Sequence, residues 1–128
     1  MNKKNLSQEL LNNGFNLTKY NNFEKVFNGL NINVIIYASL FGKVKMVGTF
    51  YKFKKQLKEE LHDEVWTKCI KIMDSQNSYL KLGSLGFDYL EADITDKNIL
   101  NCINAEMISE SCNNFSNLIK DLIIEYDL

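Results

Sequence analysis

The only histidine of this chain lies in the run Glu59-Glu60-Leu61-His62-Asp63-Glu64, where an imidazole and several carboxylates are neighbours. On a helix, Glu59 and His62 fall three apart and Glu60 and Glu64 four apart, so each pair shares a face. A carboxylate–imidazole pair can ligate a metal or shuttle a proton. Neither an H-E-x-x-H spacing nor a second histidine accompanies it. The expectation is a solvated helix face, supported by Glu64 and Lys68 in the favourable i, i+4 order. No metal and no cofactor is expected.

Nucleophilic chemistry has equally little to build on. Cys69, Cys102 and Cys112 are odd in number and show no C-x-x-C spacing, which argues against a disulfide framework and a zinc site. They read as buried thiols in a reducing compartment, and nothing places His62 beside one of them. Gly83-Ser84-Leu85-Gly86 matches a bare G-x-x-G but contains no Lys, so it reads as a hairpin turn. Walker, dinucleotide and G-x-S-x-G patterns are absent.

Charge is the stronger signal. Residues 1–58 hold ten Lys against Glu9 and Glu24, while residues 88–128 hold nine acids against Lys97 and Lys120. The net charge of −1 conceals this asymmetry, which bears on association and partner choice rather than on fold. Asp93 and Asp96 lack the spaced oxygens and central Gly of a calcium loop. Paired carboxylates for glycoside hydrolysis have no supporting motif. A face that mimics nucleic acid or plugs a basic site on a partner is the better use of Asp88, Glu91, Asp93, Asp96, Glu106 and Glu110.

The alternative site is basic. Lys43, Lys45, Lys52, Lys54, Lys55 and Lys58 interleave with Phe50, Tyr51 and Phe53, a pattern that can track a single strand and stack its bases. Against it, Phe50 and Phe53 are expected inside and the chain is acidic overall. If a helix starts near Lys52, its first turns carry four Lys against the dipole, which suggests an acidic partner for them. Arginine is absent, so bidentate guanidinium recognition is unavailable to this chain. Seventeen Asn, fifteen Lys and no Pro match an A/T-rich genome rather than a function.

The elements that must position these groups follow from periodicity. Leu6, Leu10 and Leu11 mark a first helix stopped at Gly14. Phe23, Val26, Phe27 and Leu30 stand at i, i+3, i+4 and i+7, predicting a second helix capped by Thr18. Residues 32–51 read as a β-hairpin turning at Gly42-Lys43. Phe53, Leu57, Leu61 and Val65, then Trp66, Cys69, Ile70 and Met73, predict one long helix from Lys52 to Asp74. Tyr79–Leu82 and Phe87–Ile94 read as strands. Asp96 caps a short helix with Ile99, Leu100 and Ile103, and Phe115, Leu118, Ile119, Leu122 and Ile123 form the stripe of a last helix capped by Ser111 or Asn113. Phe23, Phe27, Phe115 and Trp66 are expected in the core. Within the last helix, Ile108–Ile119 (Ile-Ser-Glu-Ser-Cys-Asn-Asn-Phe-Ser-Asn-Leu-Ile) is loosely similar to the closing helix of SUKH-type bacterial immunity proteins. The upstream motifs of that family are absent, and no residue role carries over.

The expected fold is one α+β domain over residues 1–128, an antiparallel sheet from two hairpins packed with a central helix and terminal helices. Met1–Gly14 has no apolar signal-peptide core, and the apolar run Val34–Phe41 is too short to span a bilayer. A cytoplasmic location and no membrane partner are therefore expected. The expected function is non-catalytic protein binding: a small inhibitor, immunity or anti-defence protein of an A/T-rich bacterium or its phage, occluding a partner surface. The alternatives are single-stranded nucleic-acid binding through the Lys43–Lys58 stretch and a homo-oligomer pairing basic with acidic halves.

Overall fold

Helix α1 (Lys3–Asn12) begins where the Asn2 side chain accepts the Lys4 N–H, and it ends before Gly14, whose φ is +87°. Its Leu6 and Leu10 are fully buried, as their spacing requires. A computed structural model describes residues 1–128. After α1 the chain builds strands β1 (Asn16–Leu17), β2 (Phe23–Phe27), β3 (Leu30–Ala38) and β4 (Val44–Lys52). Helix α2 (His62–Gln76) follows, then β5 (Lys81–Leu85), β6 (Tyr89–Ile94), α3 (Lys97–Asn101) and α4 (Ala105–Tyr126). The six strands form one antiparallel sheet in the order β1-β2-β3-β4-β6-β5. The helices cover one face, and a single cluster of 30 buried residues lies between the layers. This is the expected α+β class.

The predicted second helix is a strand. Phe23–Phe27 pairs with β3 through the two-residue turn Asn28-Gly29, both at positive φ, the geometry that Asn-Gly favours in hairpins. Spacing of four residues places side chains on one face of a strand as well as of a helix, so Phe23 and Phe27 reach the core either way. Thr18 caps no helix; its hydroxyl bonds the Asn22 side chain in the β1–β2 turn. The Asn28 side chain donates to Ser116 Oγ at 2.7 Å and faces Asn113 and Asn117, fixing the hairpin to α4.

The predicted long helix is shorter at its start. Lys52 ends β4, and α2 begins only at His62 after a 3₁₀ turn at Glu59–Leu61. Between them Phe53 and Leu57 are buried anchors whose N–H groups donate to Asp88 and Phe87 carbonyls. The dipole argument about Lys52–Lys58 therefore falls away. Gly83, Ser84 and Leu85 belong to β5 rather than to a turn; the reversal is at residues 86–88. Helix α4 starts at Asn104, whose side chain accepts the Met107 N–H, and not at Ser111 or Asn113, which lie inside it. Its expected stripe is buried, with Phe115 fully enclosed; truncating such a residue to Ala typically costs about 3–5 kcal/mol. Asp96 caps α3 as expected, accepting from Asn98 and Ile99.

Candidate functional site on the uncovered sheet face

Strand β6 alternates cleanly. Leu90, Ala92 and Ile94 are fully buried toward the helices, so Glu91 and Asp93 point to the opposite face. Asp93 pairs in register with Gly48 of β4 on one side and Lys81 of β5 on the other. Its carboxyl lies in a slot that two glycines make possible. A Cβ on Gly83 would overlap Asp93 Oδ2, and one on Gly48 would stand 3.0 Å from Oδ1. Asp93 is only 8% exposed, and its Oδ1 has no hydrogen-bond partner.

That placement sets the protonation. Burial first, then a hydrogen bond to Glu91 and the Glu91 charge, push the Asp93 carboxyl up to about 7. Buried beside the Glu91 charge, the Asp93 carboxyl keeps its proton up to near neutrality. Tyr37, on β3 beside Gly48, completes the group. Its hydroxyl is raised by burial, by the charges of Glu91 and Asp93, and by a hydrogen bond to Glu91. The cluster can exchange one proton, or accept hydrogen bonds from a cation brought to it.

The surroundings mix apolar and polar groups: by register Lys52, Lys81, Asn31 and Asn33 share this face, and Phe50, expected inside, lies half-buried on it. Phe50 and Tyr89 stack with centroids 5.3 Å apart, and the Tyr89 hydroxyl bonds Ser84 Oγ at 2.8 Å. Ile35 and Met46 are half-buried on the same face, and Val26 is exposed. No helix covers this side of the sheet. Tyr37 and Gly48 were not singled out from sequence as site residues, and Gly83 was read only as part of a hairpin turn. Isolated glycines inside strand-like runs, which mark close approach of another group, were the available signal.

The six candidate acids do not form one surface. Glu91 and Asp93 share the open face; Asp88 sits in the β5–β6 turn beside Phe53; Asp96 caps α3; Glu106 and Glu110 lie exposed on α4, across the sheet. The candidate lysines also divide. Lys43 and Lys45 are at the β3–β4 turn, while Lys52, Lys54, Lys55 and Lys58 are at the other end of β4. Seven residues of strand, about 23 Å, separate Lys45 from Lys52. Lys55 is paired with Asp127 at 2.8 Å.

His62 is half-buried rather than solvated: its Nε2 lies 2.8 Å from the Leu85 carbonyl, which fixes that nitrogen as the N–H donor, and its ring stacks on Trp66. Trp66 is half-buried at the core margin. Lys68 meets Glu125 of α4 at 3.0 Å instead of Glu64, which bonds Tyr126 and helps raise that phenol to about 12. Cys69 and Cys112 are buried, and burial raises both thiols, Cys69 to about 12. Cys102 departs from expectation: it is exposed at the end of α3, its Sγ near the Asn98 and Ile99 carbonyls. No family model matches this chain, and no curated protein or solved structure is detectably similar to it.

Proposed function

We propose that this protein is a non-catalytic protein-binding module, an intracellular inhibitor of the immunity or anti-defence kind, that docks a partner on its uncovered sheet face and occludes the surface it meets. The observation that carries this reading is the environment of Asp93. A carboxyl with an unpartnered oxygen is held in a glycine slot beside Tyr37 and Glu91, with the Phe50–Tyr89 stack further along the same face. Burying an unsatisfied acceptor is unfavourable for the fold by itself. A cationic side chain from a partner would supply both the missing hydrogen bond and the counter-charge, while the aromatics add apolar contact area to the same interface. The partner is thus a protein presenting a Lys or Arg inside an apolar patch.

The test is affinity capture of the tagged protein from source-cell lysate, with nuclease, alongside the Glu91→Lys variant. Lys at position 91 pairs with Asp93 within the chain, so the fold is kept while an incoming cation is repelled. One stoichiometric protein that survives nuclease and is lost from Glu91→Lys is the expected result. Recovery of nucleic acid alone, lost on digestion, would overturn the reading in favour of the lysine clusters. A partner retained equally by Glu91→Lys would move the interface off this face.

A further inference from the structure

We propose that the tip of the β3–β4 hairpin is a second docking surface, one that seats the protein on an anionic lipid bilayer. The Leu40 and Phe41 side chains are the most exposed apolar groups of the molecule, 101% and 93% accessible. They are not on a loose loop. Ser39 and Gly42 close a hydrogen-bonded turn: the Gly42 N–H donates to the Ser39 carbonyl at 2.9 Å, and the Ser39 N–H to Lys43 at 2.8 Å. Leu40 and Phe41 occupy the two central positions of that turn, at its outer corner. Gly42, at φ +83°, supplies the backbone bend. Two large apolar side chains held rigidly outward lose little entropy on burial and gain the whole transfer from water.

The collar around the tip is cationic. The N-terminal segment is laced to the hairpin, with the Lys3 N–H donating to the Gly42 carbonyl at 2.7 Å and Val44 to Met1 at 3.0 Å. This brings Lys3 and Lys4 to a shallow depression at the foot of the projecting Leu40 and Phe41, with Leu11 on its far side. On the other flank a second depression is lined by Lys43, Lys45 and Lys97. Neither depression contains an Asp or Glu. Lys3 and Lys4 thus border the apolar corner, and Lys43, Lys45 and Lys97 line the neighbouring depression at the same end of the hairpin.

The chemistry favours lipid over a folded partner. The corner is convex and projects fully, so a folded partner needs a pocket shaped for it, whereas a fluid acyl layer needs none. The collar consists only of flexible ammonium groups, point charges suited to a diffuse layer of phosphates rather than to fixed bidentate geometry. Apolar insertion and basic attraction are each weak alone and act together in peripheral binding. The contact is peripheral: no helix is long and apolar enough to cross a membrane. This surface is distinct from the sheet face, and its test needs no protein partner.

The experiment is co-sedimentation of the full chain with phosphatidylcholine vesicles, with and without about one-third phosphatidylglycerol, at low salt and at about 0.5 M salt. Binding to the anionic vesicles alone, weakened by salt, is expected. Phe41→Ser and Leu40→Ser each reduce partition about tenfold, and Lys43→Glu/Lys45→Glu reduces it at least as much. Lys54→Glu/Lys58→Glu, the same charge change at the far end of β4, leaves most binding intact. All these side chains are exposed, and circular dichroism checks the fold. No binding to anionic vesicles overturns the proposal, as does binding unchanged in Phe41→Ser. A dimer in solution that Phe41→Ser dissociates, without vesicle binding, assigns the corner to self-association instead.

Discussion

Replacing Asp93 by Asn is expected to stabilise the protein above neutral pH and to leave it unchanged in acid. The folded-state carboxyl titrates at about 7 against an ordinary 3.8. Between those values the folded chain keeps a proton that the unfolded chain has released. Stability therefore falls as pH rises through this window, and the full penalty is present above it. At 1.36 kcal/mol per unit, the shift sets an upper bound of about 4 kcal/mol. Relaxation of the surrounding side chains offsets part of that penalty in the folded protein, which leaves about 1–2 kcal/mol. Asn has nearly the same shape, carries no charge, and its amide can donate to Glu91 as the protonated carboxyl does. With an unfolding entropy of about 2.1 cal/mol/K per residue, Tm at pH 8 rises by about 4–7 °C. Urea or thermal unfolding of both proteins at several pH values measures the difference directly, and the background titration of other carboxylates cancels. Equal stability of the two proteins at pH 8, or a gain of the same size at acid pH, would refute the assignment of a proton to Asp93.

Three other outcomes follow from particular contacts. Gly83→Ala places a methyl against Asp93 Oδ2; a loss of about 1–3 kcal/mol is expected, largely relieved in an Asp93→Gly background, and a double-mutant cycle reads the coupling. Asn28→Gly keeps the positive-φ turn but removes the bonds to α4; a loss of about 1–2 kcal/mol is expected in urea unfolding, and an unchanged midpoint would show that these bonds do not hold the hairpin. Native protein should take up one equivalent of iodoacetamide at exposed Cys102 and further label only on unfolding, read by mass spectrometry, because Cys69 and Cys112 are buried and held as thiols.

Local chemistry alone settled several elements. The leucine spacing and Gly14 defined α1, the β-branched run defined the β3–β4 hairpin, whose turn centres on Leu40-Phe41 rather than the expected Gly42-Lys43, and Asp96 capped α3, because each signal acts over a few neighbouring residues. The same reasoning misplaced Phe23–Leu30 and Lys52–Leu61, for different causes. In Lys52–Leu61 the apolar Phe53 and Leu57 anchor an irregular segment through bonds to the Asp88 and Phe87 carbonyls, long-range partners that no local spacing reveals. In Phe23–Leu30 the apolar residues four apart fit a helical turn and two strand repeats alike. Lys25 deepened the ambiguity by occupying a core-facing strand position, its ammonium over Phe15 and Phe27 and bonded to the Asn13 carbonyl. Asn28-Gly29 was the local clue that decides the first case.

The sites were decided by tertiary structure. Glu91 and Asp93 were legible as candidate acids from the chain, but the burial that raises Asp93 depends on Gly48 and Gly83, strand neighbours brought in by sheet register rather than by sequence. The Lys43–Lys58 stretch read as one basic surface because sequence proximity was taken for spatial proximity. An extended strand instead carries its two ends about 3.3 Å further apart with every residue. Conversely, Lys3 and Lys4 meet Lys43 only because the N-terminal backbone bonds to the hairpin. Periodicity records which way a side chain faces within its own element. Which charges share a surface depends on how elements pair, and that is fixed by long-range hydrogen bonds and a common core.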